Sequence, residues 1–290
     1  MSGRESLLPP DALASIRLGI SVSQSPDLLR LGLLESHFRL ALGEIARCVL
    51  VSGGHLAYGG HLQPDGYTAF LIRELERYSR RDRPMRVCLA WTEHRRMSLS
   101  AIHSETLRMG LYGEIVCLDP DGNVINPAAG RDEAPSPPLD GASRERSLSS
   151  LRRYMAHNTH GRVLIGGRRD GFQGDMPGLL EEALFSLQQG QPVYLAGGFG
   201  GITYDIAREL GVQSRDWLPR LKNAPAPDER LVRGMIKLVE SAKMTGCRSL
   251  ENGLSEDENC RLAASHRPSE IAALVSVGLG RRFLRNSAPN

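Results

Sequence analysis

No stretch of the sequence approaches the roughly 18 uninterrupted apolar residues that a membrane-crossing helix needs, so no span is expected. The first residues, MSGRESLLPPDALAS, lack the apolar core of a secretory signal. Cysteine is scarce: five in 290 residues, none in a CxxC pair, which argues against a disulfide framework or a structural zinc. Cys48, Cys88 and Cys117 fall inside expected strands and read as small core residues. A cytoplasmic protein is the expectation. A strong charge of one sign is missing too. The net charge of +3 is too small to argue for a nucleic-acid partner, and the arginine clusters (Arg80, Arg81 and Arg83; Arg95 and Arg96; Arg168 and Arg169) read mostly as solvated faces.

Several chemical motifs are absent as well. There is no GxxxxGK[ST] phosphate loop, no GxGxxG after an early strand and no GxSxG elbow, which sets aside P-loop, dinucleotide and serine-hydrolase chemistry. His55, His61 and Asp65 fit no familiar ligand spacing, and His157 and His160 have no nameable third partner, so no metal is expected.

What is present is ordinary globular composition, 41% hydrophobic and 24% charged, in a chain long enough for a large core. The most informative stretch is Arg162–Gly201, which reads strand, glycine loop, helix, strand, glycine loop. Arg162–Ile165 and Pro192–Ala196 are short apolar runs bounded by glycine, the pattern of buried parallel strands. Between them Leu179, Leu180, Ala183, Leu184 and Leu187 keep helical spacing after Pro177, a good first-turn residue. Both strands of this βαβ unit end in paired glycines. Such glycines either make tight turns or let a ligand approach backbone N–H groups at a helix start, a seat suited to phosphate.

The rest of the chain repeats the pattern. Ile16–Val22 reads as the first strand, followed by Ser25 as helix cap, Pro26, and a helix carrying Leu28 to Ile45. Cys48–Ser52 reads as the second strand, leading into a glycine-rich loop from Gly53 to Gly60, with Asp65 capping a helix over Tyr67–Arg80. Met85–Trp91 and Glu114–Leu118 read as strands, Ser98–Gly110 and Ser147–His157 as helices, and 119–143 as a long excursion. A short helix, Thr203–Leu210, follows the 162–201 unit. This alternation predicts a parallel sheet with helices on both faces, whose ligand crevice lies beyond the strands' carboxyl ends. The glycine loops all fall at such ends on this reading. The expected domain covers 15–211. From 212 to 290 the texture changes: Pro219, Pro225 and Pro227 mark a linker, and Glu229–Lys243 and Pro268–Leu284 are helices expected to pack on the sheet domain or another subunit.

Glu181 and Glu182 stand in the first turn of the helix after the 166–178 loop, where the helix dipole favours carboxylates and where one could also accept a ribose hydroxyl or serve glycosidic chemistry.

At Gly166-Gly167-Arg168, Pro177-Gly178-Leu179-Leu180-Glu181-Glu182-Ala183 and Gly197-Gly198-Phe199-Gly200-Gly201, the sequence resembles the SLOG superfamily, a Rossmann-like group that includes LOG phosphoribohydrolases, Smf/DprA proteins and nucleotide-sensor domains. The likeness is closest to bacterial sensor-type members (TRPM/STALD-like) and covers about residues 15–211. It implies a doubly wound Rossmann-like sheet and a nucleotide ligand of the ADP-ribose or cyclic ADP-ribose class, with no other cofactor. It also implies a homo-oligomer or an effector partner protein, in defence signalling. On this resemblance Ser21, Ser23, Gly53, Gly54, Gly59, Gly60, Gly166, Gly167, Gly174, Pro177, Gly178 and Gly197 to Gly201 approach the ligand, and Arg168 pairs with phosphate. Glu181 takes ribose hydroxyls, and His55, Tyr58 and Phe199 face the ligand. The catalytic branch carries PGGxGTxxE. Here Ala196, Gly201 and Tyr204 stand at its Pro, Thr and Glu positions, so an N-glycoside hydrolase or transferase would need Glu181 or Glu182 instead.

Overall fold

A computed structural model describes residues 8–78, 81–137, 140–214, 216–218, 226–244 and 250–284. Pro219 and Pro225 of the expected linker, and Arg80 at the expected helix end, lie outside them.

The chain forms, in order, β1 (Arg17–Ser23), α1 (Glu35–Val51), β2 (His55–Gly59), α2 (Tyr67–Glu76), β3 (Met85–Leu89), α3 (Trp91–His94), α4 (Leu99–Met109), β4 (Gly113–Leu118) and β5 (Val124–Ile125). It continues with α5 (Gly141–His157), β6 (Gly161–Gly166), α6 (Gly178–Gln188), β7 (Val193–Ala196), α7 (Gly201–Glu209), α8 (Glu229–Met244), α9 (Glu256–Ala264) and α10 (Pro268–Leu284). The strands make one 7-stranded sheet in the order β5-β4-β3-β2-β1-β6-β7. The pairings are parallel except that β5 runs antiparallel to β4. The chain starts at the middle, works outward through β4, then returns to lay β6 beside β1. The direction of winding therefore reverses between β1 and β6, as in a Rossmann-like doubly wound fold.

Period-two burial sorts each strand between two cores. Leu18, Ile20 and Val22 of β1 with Val163 and Ile165 of β6 face α1 and α10, contacting Phe38, Leu42, Ile45, Ile271 and Leu279. Leu164 of β6 and Val193 and Leu195 of β7 face α6, α7 and α8. Ala57 and Cys88 face Leu151 and Met155 of α5.

Cys48–Ser52 is the one strand expectation that the fold overturns. Its first four residues are the last turn of α1, where Val49 and Leu50 are buried and Val51 is 55% exposed. An apolar run at a helix end mimics a buried strand, because periodicity over four or five residues cannot separate them. The second strand is instead His55–Gly59, inside the stretch expected to be a glycine loop. Three smaller corrections follow. The first helix starts at Glu35 rather than after Ser25, because a short 3-10 turn (Leu29–Leu31) is closed by Gly32 in the left-handed region. Gly66, not Asp65, is the N-cap residue of α2. Trp91 leaves β3 to open α3.

Beyond residue 212 the described helices pack on the sheet layers: α8 against α6, α10 against α1 and α9 against β7. The buried Asn252 side chain donates to Val193 O (2.8 Å), and Tyr194 Oη donates to Asn252 O (2.9 Å), so a hydrogen-bonded lock covers the β7 edge.

Candidate functional site

Where winding reverses, the loops leaving β1 and β6 diverge and open a crevice. Ser23 and Gly166 are register partners at the two strand ends, so whatever follows them borders that opening. A cleft of about 540 Å³ lies there, lined by Ser23 at the end of β1 and Gln24 after it, by Tyr58 and Gly59 of β2 and Gly60 after it, and by Arg168 after β6. Its size suits a nucleotide-sized ligand. Glu35, His61, Asp65, Tyr67, Glu93, Arg152 and Glu182 are also on the wall.

The floor is a buried polar cluster. Arg162 of β6 is fully buried. Its Nη1 donates to Glu182 Oε2 (2.8 Å) and to Ser21 Oγ (2.9 Å), and its Nε donates to Ser186 Oγ (2.7 Å). Ser21 Oγ donates in turn to Glu182 Oε2. Oε2 is therefore occupied, while Oε1 lies 4.0 Å from Arg152 Nε. Burial lowers the Arg162 guanidinium below its ordinary pKa, and the Glu182 charge opposes that shift. Burial, then the Glu182 charge, raises the Tyr58 phenol well above its ordinary value, so it is a hydrogen-bond donor across the physiological range. Burial, then Glu35, raises Tyr67 in the same way.

The paired glutamates divide. Glu182 lines the cleft, but Glu181 is turned away and buried against α5, where Ser149 Oγ and Arg152 Nη1 donate to it. A helix start sends adjacent side chains about 100° apart, so only one of the two can face the ligand. Arg152 thereby lies across the amino end of α6, close enough that a Cβ on Gly178 would sit 2.7 Å from its Nη2. Arg168 donates to Gln24 Oε1 (2.8 Å) and is the cleft arginine without a carboxylate partner among the described residues.

The remaining sequence candidates scatter in an instructive way. Ser21 lies beneath the cleft, in the Glu182 cluster. Gly166 and Gly167 form the turn that delivers Arg168, with Gly167 N donating to Ser23 O (3.0 Å). The Gly174 carbonyl accepts from Arg230 Nη1 (2.9 Å), and Pro177 is the N-cap residue of α6. Gly53, Gly54 and His55 sit at the amino end of β2, the opposite rim from the cleft, a direct consequence of the shifted second strand. Gly53 borders a separate depression of about 560 Å³ with Asp11, Tyr78 and Asp82, and His55 Nε2 is 3.4 Å from Asp82. The Gly197–Gly201 loop is buried and lines no part of the cleft. A Cβ at Gly198 would lie 2.1 Å from Ser265 O, and one at Gly197 would lie 2.7 Å from Ala263 O, so the glycines admit the end of α9. Phe199 is fully buried against Phe38, with ring centroids 5.0 Å apart. It belongs to the core and cannot stack on a base.

The sequence reasoning passed over Gln24, Glu35, Tyr67, Glu93 and Arg152, all on the cleft wall. Arg162 carried a signal: a charged residue opening an apolar run destined for a central strand must be paired when buried.

Among the described residues no group of His, Cys, Asp and Glu is arranged to hold a metal ion, and no helix is long and apolar enough to cross a membrane. No curated protein and no solved structure matches the chain. The family model SLOG cluster2 matches residues 12–262, and the chain belongs to that family. The match runs past the 15–211 resemblance to take in α8 and most of α9. Membership suggests nucleotide-related binding or glycosidase-like chemistry.

Proposed function

We propose that this SLOG member is a nucleotide sensor of the bacterial sensor type, binding an ADP-ribose-class or cyclic ADP-ribose-class ligand in the cleft at the β1/β6 reversal. Glu182 carries this reading: its Oε2 is held by donors from Arg162 and Ser21, and it lines the cleft. A carboxylate held by donors alone is an acceptor of ribose hydroxyls rather than a proton source. Arg168 and the Ser23 hydroxyl at the mouth take the phosphate, a task suited to a planar guanidinium. Tyr58 and Tyr67 offer ring surface and hydroxyl donors to the base and sugar.

The position of the catalytic branch's glutamate supports binding over turnover. Tyr204 stands there, buried, its hydroxyl donating to Ser214 O (3.2 Å), away from the cleft. Occupancy is passed on through the rim. Arg169, next to Arg168, bonds Asp27 after β1 (2.6 Å) and Asp205 of α7 (2.5 Å), and the turn before α7 abuts the α9 carbonyls. That route leads to the C-terminal helices and so to a homo-oligomer interface or an effector partner. Calorimetric titration with ADP-ribose and its cyclic isomers tests the proposal: saturable binding lost in Arg168→Ala supports it, and silence across the series removes it.

A second reading, N-glycoside hydrolysis with Glu182 as base, has the same carboxylate in its favour. It requires release of free base from a nucleotide, abolished by Glu182→Gln.

A further inference from the structure

Arg162 raises a question that packing does not answer. A guanidinium with no solvent exposure is costly, and a buried ion pair is weak evidence for stability, since apolar residues of similar volume often do as well. Among the described residues Arg162 has one carboxylate within ion-pair distance, Glu182, and Glu182 lines the cleft. Arg162 Nη2, also buried, has no hydrogen-bond partner among the described residues. The charge thus sits under the cleft floor beside the Ser21 and Ser186 hydroxyls, with Glu182 as its carboxylate partner, and that carboxylate faces the ligand space.

The other charges near Glu182 set what it can accept. Glu35, Asp65 and Glu93 line the same cleft. Arg152, 4.0 Å from Glu182 Oε1, is already ion-paired with Glu181. Arg168, the cation left for a phosphate, belongs to the loop at the mouth beside Gln24. A hydroxyl pair brought to Glu182 finds a carboxylate oxygen, Oε1, that can accept from it. A phosphate brought there meets a carboxylate, and the guanidiniums within ion-pair distance of it, Arg162 and Arg152, are already paired with Glu182 and Glu181.

Building on the nucleotide reading above, we infer that Glu182, seated from behind by Arg162, is the specificity determinant that admits a free ribose diol and rejects a ribose phosphorylated on that diol. Arg162 is a positioning residue: it touches no ligand, and it fixes the orientation of the group that does.

The experiment measures affinities of the full chain for ADP-ribose and ADP-ribose 2′-phosphate and reads their ratio. The ratio is internal to each variant, so a general loss of stability cancels. Wild type is expected to favour the unphosphorylated ligand by about tenfold or more, the scale of like-charge rejection at a buried site. Glu182→Gln brings the ratio to within about twofold of unity, Arg162→Met narrows it likewise, and Arg162→Lys, which keeps the charge, restores most of it. A merely structural Arg162 would weaken both ligands and leave the ratio alone. Should Arg162→Met not fold, Ser21→Ala takes its role, removing the other donor to Oε2, and an unchanged ratio there counts against the inference. Wild-type binding of both ligands with equal affinity, or a ratio indifferent to Glu182→Gln, overturns the inference and leaves the nucleotide reading standing. Failure of the wild type to bind either ligand overturns both.

Discussion

The turns that follow β6 and β7 have nearly the same composition and opposite uses. After β6, Gly166 and Gly167 take φ of +71° and +103°, and the chain emerges at Arg168 on the cleft wall. After β7, Gly200 and Gly201 take φ of +72° and +68°, and the whole turn is buried. A Cβ at Gly201 would stand 2.4 Å from Gly167 O, so the two turns are packed on each other. Glycine in both reports that something comes close to the backbone. In the first the loop opens to the cleft; in the second it is closed by α9, a part of the same chain. Glycine richness at a strand end therefore marks close approach and leaves open whether a ligand or a helix approaches.

The tie between the turns is the largest effect to test. Asp27, 4% exposed, accepts from Arg169 Nη1 (2.6 Å) and from Gly201 N (2.8 Å). Asp27→Ala leaves the buried Gly201 N–H without its acceptor and takes one of two carboxylates from Arg169, which keeps Asp205, and about 2–4 kcal/mol of stability should be lost. Urea unfolding reads it. A loss under about 1 kcal/mol would mean that the two turns hold their shapes separately. Next in size, Gly198→Ala forces a methyl group against the Ser265 carbonyl and should cost about 1–3 kcal/mol, with ligand affinity unchanged once the protein is folded. If affinity fell while stability held, the second turn would have to be counted as part of the site. The reverse pattern is expected at Arg168. Arg168→Ala should lower nucleotide affinity about tenfold, the worth of a charged hydrogen bond, while the melting temperature stays within error.

Much of this contrast was out of reach of the sequence, for identifiable reasons. The sheet was legible because β1, β3, β4, β6 and β7 are short apolar runs between turn residues. The strand at β2 was not, because His55, Tyr58 and Gly59 make it look like a loop while the CVLV end of α1 looks like a strand. That single shift moved Gly53 and Gly54 to the wrong rim. Helix α9 is charged and short, but its capping box, Ser255 with Glu258, is written in the sequence and could have revealed it. Finding α9 would have supplied the occupant of the 197–201 turn. Strand ends and glycines point to Ser23, Tyr58 and Gly60, the resemblance points to Arg168, and Glu182 stands out by its place in the first turn of a helix. The resemblance assigns the ribose hydroxyls to Glu181, and the structure moves that place to Glu182, because Ser149 and Arg152 of α5 reach across from 29 and more positions away to hold Glu181.

The smallest expected effect separates the two rims of the sheet. His55 stands at the amino end of β2, partly exposed, beside Asp82 at 3.4 Å, three residues before Tyr58 on the same strand. An ion pair this open contributes little, so His55→Ala should change stability by about 0.5 kcal/mol or less. Nucleotide affinity should not change, because β2 rises about 3.3 Å per residue and carries His55 roughly 10 Å from the cleft end of the strand. Tyr58→Phe, on the same strand, keeps the ring and removes a buried donor that feels the Glu182 charge, and it should weaken binding. Parallel titrations of the two variants give the comparison directly. A His55→Ala protein that loses affinity as Tyr58→Phe does would place ligand contacts on both rims, and the cleft at the β1/β6 reversal could then not be the whole site.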